Sequence, residues 1–116
     1  MSFSSIVETA DVFKMYRERW REYVKEIKEV ARELFGEKFV KLCVFGSTIR
    51  EDSGPLSDID IAVLLVEEVD EWIRVRFRTE VAKRIGVRHP FEIHVLSEME
   101  WDRWYARFVK DDFIEL

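Results

Sequence analysis

The chain contains no asparagine, no glutamine, a single cysteine and only two histidines. A lone thiol, Cys43, cannot form an internal disulfide, so a reducing, cytoplasmic setting is expected. No apolar run approaches the roughly 20 residues that a membrane-spanning helix needs. The opening Met1-Ser2-Phe3-Ser4-Ser5 puts no basic segment ahead of an apolar one, so no signal peptide is expected. A net charge of −5 argues against broad binding to nucleic-acid phosphates. Loss of thermolabile amides, with 37% of residues charged, is a thermophile tendency. There are no repeats, low-complexity segments or linkers, and 47% hydrophobic content is enough for a core. One domain spanning 1–116 is the expectation.

Hydrophobic spacing predicts the elements. Phe13, Tyr16, Trp20, Val24, Ile27, Ala31 and Leu34 recur at intervals of three and four, which predicts one amphipathic helix over residues 5–35. Ser5 and Glu8 have capping-box spacing, and Gly36 is a natural stop. Arg17, Arg21, Lys25, Lys28 and Arg32 fall on the other, solvated faces. Residues 39–45 (FVKLCVF) and 57–66 read as strands. Residues 68–86 read as a helix with Val69, Trp72, Ile73, Phe77, Val81 and Ile85 along one side. Residues 91–96 (FEIHVL) alternate, with Phe91, Ile93 and Val95 opposite Glu92, His94 and Leu96. Ser97 and Glu100 again have capping-box spacing, ahead of a last helix carrying Met99, Trp101, Trp104, Tyr105 and Phe108. The terminal FIEL fits a short edge strand. This order predicts an α+β fold, a small mixed sheet with helices mainly on one face and the other face open.

The chemistry concentrates in residues 44–65, VFGSTIREDSGPLSDIDIAVLL. Residues i and i+2 of a strand point the same way, with α-carbons roughly 6.6 Å apart. Asp58 and Asp60 therefore share a face with Ala62 and Leu64, while Ile59, Ile61, Val63 and Leu65 form the core side. Neighbouring carboxylates repel, and a divalent cation such as magnesium relieves the repulsion. Gly46-Ser47, between a strand and a turn, leaves backbone N–H groups free for an anion such as phosphate.

Gly46-Ser47, ten residues, then Asp58-Ile59-Asp60, with strands on both sides, resembles the DNA polymerase beta-like nucleotidyltransferase superfamily. The likeness is greatest to its minimal nucleotidyltransferases and covers roughly residues 39 to 96. The resemblance implies a palm-like fold in which Gly46, Ser47 and Arg50 hold the phosphates of ATP or another NTP. It implies that Asp58, Asp60 and Glu92 bind two Mg2+ ions, Glu92 in PFEIHVL being the third acid from a later strand. It implies transfer of an NMP, AMP in the first instance, to a hydroxyl by the two-metal scheme. Thr48 and Glu51 depart from the family's usual arginine and glycine. The chain carries no added base-binding or acceptor-binding domain, so the resemblance implies a partner. A HEPN-type helical toxin, with this chain as its antitoxin, is preferred, and a homo-oligomer is the alternative.

Two other functions stay open. The chain could mask a HEPN partner through its aromatic C-terminal helix without catalysis, or transfer a nucleotide to a small molecule. Among the remaining residues, His94 and His89 read as structural and solvated respectively, Arg74 and Arg78 as a solvated helix face, and Cys43 as a buried hydrophobe.

Overall fold

The computed structural model describes residues 3–46, 57–105 and 113–116, with side chains described from Glu8 to Gly46, Ser57 to Arg103 and Phe113 to Leu116. Its elements are helices α1 (Phe3–Glu18) and α2 (Trp20–Phe35), strands β1 (Phe39–Phe45) and β2 (Ile59–Leu65), helix α3 (Glu71–Ile85), strand β3 (Phe91–Ser97), a short helix α4 (Glu98–Glu100) continuing as a wider turn through Trp101–Tyr105, and strand β4 (Phe113–Glu115). The fold is α+β, as expected. The sheet order is β3-β2-β1-β4. β1 runs antiparallel to β2 and β4, and β2 runs parallel to β3. Parallel neighbours need a crossover connection, which α3 supplies. The terminal FIEL does pair, as an edge strand on β1.

The N-terminal segment is two helices rather than one. The backbone leaves helical geometry at Arg19 (φ −122°, ψ 28°), and the amides of Glu22 and Tyr23 then donate to the Arg19 carbonyl to start α2. Neither Pro nor Gly marks the break. Helix α1 begins at Phe3, two residues ahead of Ser5. Val12 packs against the core, whereas Phe13 is not among the residues lining it. Gly36 closes α2 with φ +56°, a conformation that costs glycine little. On α3, Ile73, Phe77, Val81 and Ile85 repeat every four residues and face inward, and Asp70 caps the helix by accepting from the Ile73 amide at 3.0 Å. Trp72 sits one residue, about 100°, off that stripe and is 73% exposed, contrary to the sequence reading.

The helices bury one sheet face. Val24, Ile27, Val30, Ala31, Phe77 and Val81 pack on Leu42, Val44, Ile59, Ile61, Val63, Leu65, Phe91, Ile93 and Val95. Tyr16 ties α1 in, its hydroxyl donating to the Ile85 carbonyl at 2.6 Å. The opposite face is not fully open. Cys43, Phe45, Ala62, Leu64, Leu96 and Trp101 form a second, smaller cluster with Phe113 against it. Trp101 meets Phe45 and Phe113 edge-on at 5.7 and 5.6 Å. Trp101 and Phe113 cover Phe45 on this face, while the neighbouring Asp60 and Glu92 side chains stay partly exposed. Cys43 is fully buried here, and burial pushes its thiol up to about 11. No helix among the described residues is long and apolar enough to cross a membrane.

Candidate active site

Strand alternation and register build the site together. Asp60 pairs with Phe45 on β1 and with Glu92 on the parallel strand β3, and Ala62 pairs with His94. Because these partners stand level, side chains on the same face converge. One ligand atom each from Asp60, Glu92 and His94 lies within 4.8 Å of the others. His94 Nε2 is 3.8 Å from both Asp60 Oδ1 and Glu92 Oε1. The Asp60 and Glu92 side chains are 26% and 53% exposed, so the pair is partly desolvated and still reachable. Burial first, and the Glu92 charge and hydrogen bond next, push the Asp60 carboxyl above its ordinary value; His94 pulls the other way and Asp58 adds to the rise.

The sequence-predicted residues distribute unevenly. Asp60 and Glu92 are brought together. Asp58, just before β2, is exposed, close enough to bear on Asp60 electrostatically but outside the converging trio. Gly46 follows β1 with φ +83°, and a Cβ there would sit 2.5 Å from Asp60 Oδ2. Its need for glycine is therefore visible within the protein itself, since the missing side chain is the space that the Asp60 carboxylate occupies. Ser47 and Arg50, with Thr48 and Glu51, lie outside the described residues, as do Phe108 and the side chains of Trp104 and Tyr105.

The contacts of four residues escape sequence reasoning. Arg17 is not on a solvated face; its Nη2 donates to the Ser57 carbonyl beside Asp58, and its Nε is buried. This places α1 against the segment that carries Asp58. Arg74 Nε donates to the Val95 carbonyl at 3.1 Å, and Arg78 Nε and Nη2 donate to the Ile93 carbonyl at 3.3 and 3.1 Å. The two arginines read as solvated in the sequence, but they satisfy the free edge of β3, whose carbonyls point away from β2. They thereby hold the strand that presents Glu92 and His94. His89 is half-buried rather than solvated, and its Nδ1 accepts from the Phe91 amide at 3.1 Å, at the start of the same strand. Burial lowers its pKa. Helical spacing showed that Arg74 and Arg78 share a face; that the face lies on a sheet edge depends on topology.

Chemically, the arrangement is a pair of facing carboxylates with an imidazole beside them, mouth open to solvent and floor apolar. Such a set suits a divalent cation, whose charge would offset the repulsion between the facing carboxylates.

Comparison with known proteins gives a consistent picture. The family model for the nucleotidyltransferase domain matches residues 24–115. A crystal structure of a protein provisionally assigned as a nucleotidyltransferase superposes with a TM-score of 0.62 at 30% identity, over 80% of this chain and 96% of that one. A complex of tri-AMPylated Shewanella oneidensis HEPN toxin with MNT antitoxin contains a chain that superposes at 0.56 with 18% identity, over 82% of this chain and 69% of that one. The spectinomycin adenyltransferase AAD(9) from Enterococcus faecialis, solved with ATP and spectinomycin, superposes at 0.53 with 21% identity, over 72% of this chain and 36% of that one. The last two likenesses are of fold alone. No curated protein sequence gives a significant match.

Proposed function

The chain belongs to the nucleotidyltransferase domain family, and from that premise we propose that it transfers AMP from ATP to a hydroxyl on a HEPN-type helical partner, acting as that partner's antitoxin. Membership implies a nucleoside triphosphate substrate and a divalent cation. The observation that carries the reading is the register of β2 and β3, which sets Asp60 level with Glu92 while Gly46 leaves room for the Asp60 carboxylate. The partner is supported by the MNT–HEPN complex among the fold's neighbours, and the adenylyl group by that complex and by the adenyltransferase.

Asp58, Asp60 and Glu92 are the residues that would hold two Mg2+ ions. When bound, these would neutralise triphosphate charge and acidify the acceptor hydroxyl. The remaining work is positional. Asp60 is fixed between Phe45 and Glu92 on rigid strands. Glu92, about half exposed, is the carboxylate an incoming hydroxyl can reach, and its oxygen not turned to the ion takes the hydroxyl proton. The acceptor oxygen bonds to the α-phosphorus as the bond to pyrophosphate breaks. Gly46, Ser47 and Arg50 are the residues that would hold the triphosphate. Asp58 is exposed and close enough to Arg17 to act on it electrostatically.

Trp101, a residue of the aromatic segment that a purely masking role would use, is buried against Phe45 and Phe113, which favours catalysis over masking. The test is incubation with magnesium, labelled ATP and a HEPN-type helical protein. Label should appear on the partner with wild-type protein and vanish with Asp60→Ala. Label that persists unchanged when Asp58 and Asp60 are both alanine would refute the mechanism; a stable complex that never acquires label would favour masking.

A further inference from the structure

The nucleotidyltransferase reading uses the carboxylates alone, yet the strand pair delivers an imidazole to the same point. We propose that His94 is a direct metal ligand and that, with Asp60 and Glu92, it makes the site prefer a first-row transition cation over magnesium. The proposal rests on the nucleotidyltransferase reading of these two carboxylates. His94 Nε2 lies 3.8 Å from an oxygen of each acid. Two donors each about 2.1 Å from a shared ion stand about 3.0 Å apart at octahedral angles and about 3.4 Å at tetrahedral ones, so closure by about 0.4–0.8 Å brings His94 and either acid onto one ion, and all three donor atoms already lie within 4.8 Å of one another.

The surroundings favour that closure. His94 and Glu92 project from one strand two residues apart, and Arg74 and Arg78 hold that strand's outer edge. The Phe45 ring lies 5.8 Å from the imidazole and is itself packed on Trp101 at 5.7 Å, so the ring is backed by a fixed aromatic wall. Asp60 is confined by Gly46 on one side and faces Glu92 on the other. Magnesium takes oxygen donors and keeps several waters, whereas imidazole suits the later first-row ions. A mixed set of one nitrogen and two carboxylates therefore shifts preference toward ions such as cobalt or zinc and, to a smaller degree, manganese, the lowest of that series. Asp58, outside the trio, is left for a second, all-oxygen position.

Manganese serves as the probe, titrated against magnesium on the full chain without nucleotide, so that the readout is binding rather than turnover. In calorimetry, the ratio of Mn2+ to Mg2+ affinity should fall at least tenfold on His94→Gln, with Mg2+ affinity changed less than threefold. Pulsed electron paramagnetic resonance of the Mn2+-loaded wild type should show coupling to a directly bound 14N. Histidine-selective 15N labelling of the unmutated chain should convert that coupling, which keeps the test valid if the variant fails to fold. Mn2+ binding without nitrogen coupling, or an unchanged ratio in a folded His94→Gln variant, overturns His94 ligation while leaving the carboxylate site standing. Absence of binding by either ion overturns both.

Discussion

Gly46→Ala isolates the closest contact in the site. Gly46 has φ +83°, and the added Cβ would stand 2.5 Å from Asp60 Oδ2 and 3.4 Å from its Cγ. Two costs follow. An L-residue in left-handed backbone costs about 1–2 kcal/mol. The clash forces the Asp60 carboxylate to move, and its neighbour across the sheet is Glu92, a like charge; overpacking of this kind costs about 1–3 kcal/mol. The sum is about 2–5 kcal/mol. For a chain of 116 residues, each kcal/mol moves Tm by about 4 °C, so metal-free thermal unfolding should shift down by about 8–20 °C. The same substitution on an Asp60→Ala background keeps the backbone cost and removes the clash, so its effect should shrink to about 4–8 °C. Transfer activity of Gly46→Ala should fall about a hundredfold, the usual effect of displacing a reacting group by about 1 Å. A Tm within 2 °C of wild type, or an equal drop on both backgrounds, would refute the reasoning that Asp60 is what demands a glycine.

The raised pKa of Asp60 gives a pH signature. The folded state holds that proton more tightly than the unfolded chain, so the contribution to stability is fully present below the ordinary value of 3.8 and is lost as pH rises through the higher folded value. Asp60→Asn should therefore melt above wild type at pH 7 without metal, the gap closing near pH 3.8; a gap that is constant with pH would contradict this. Tyr16→Phe removes the 2.6 Å bond to the Ile85 carbonyl and should cost about 1–1.5 kcal/mol, or about 4–6 °C, by calorimetry. Arg78→Ala strips two donors from the Ile93 carbonyl. It should lower Tm by about 4 °C and speed amide exchange in β3 more than in β1, whereas uniform exchange across the sheet would show that the arginine does not hold that edge.

What the sequence made legible is what a single element decides by its own period. Strand alternation separates Ile59, Ile61, Val63 and Leu65 from Asp60, Ala62 and Leu64, and the two faces fall into two distinct clusters as that alternation requires. Capping chemistry at Ser97 and Glu100 is equally local, and both reciprocal bonds form at 3.1 Å. The break at Arg19 was illegible because the apolar stripe continues across it and no Pro or Gly interrupts it. Trp72 was misread because an aromatic adjacent to a stripe looks like part of it until the helix has a neighbour to face.

The site lies between these cases. Asp60 and Glu92 could each be assigned a face, but their meeting depends on a parallel register that nothing local in either strand specifies, since a slip of one residue would turn Glu92 to the other face of the sheet. That register is held from outside the motif. The Pro90 carbonyl accepts from the Ile59 amide at 2.8 Å, His89 receives the Phe91 amide, and Arg74 and Arg78 occupy the carbonyls of the outer edge. All of these come from α3 or the turn that follows it, the crossover that makes the strands parallel in the first place. The connecting segment is thus part of the site's construction. A substitution there that leaves every carboxylate in place should still impair the chemistry by letting Glu92 drift from Asp60.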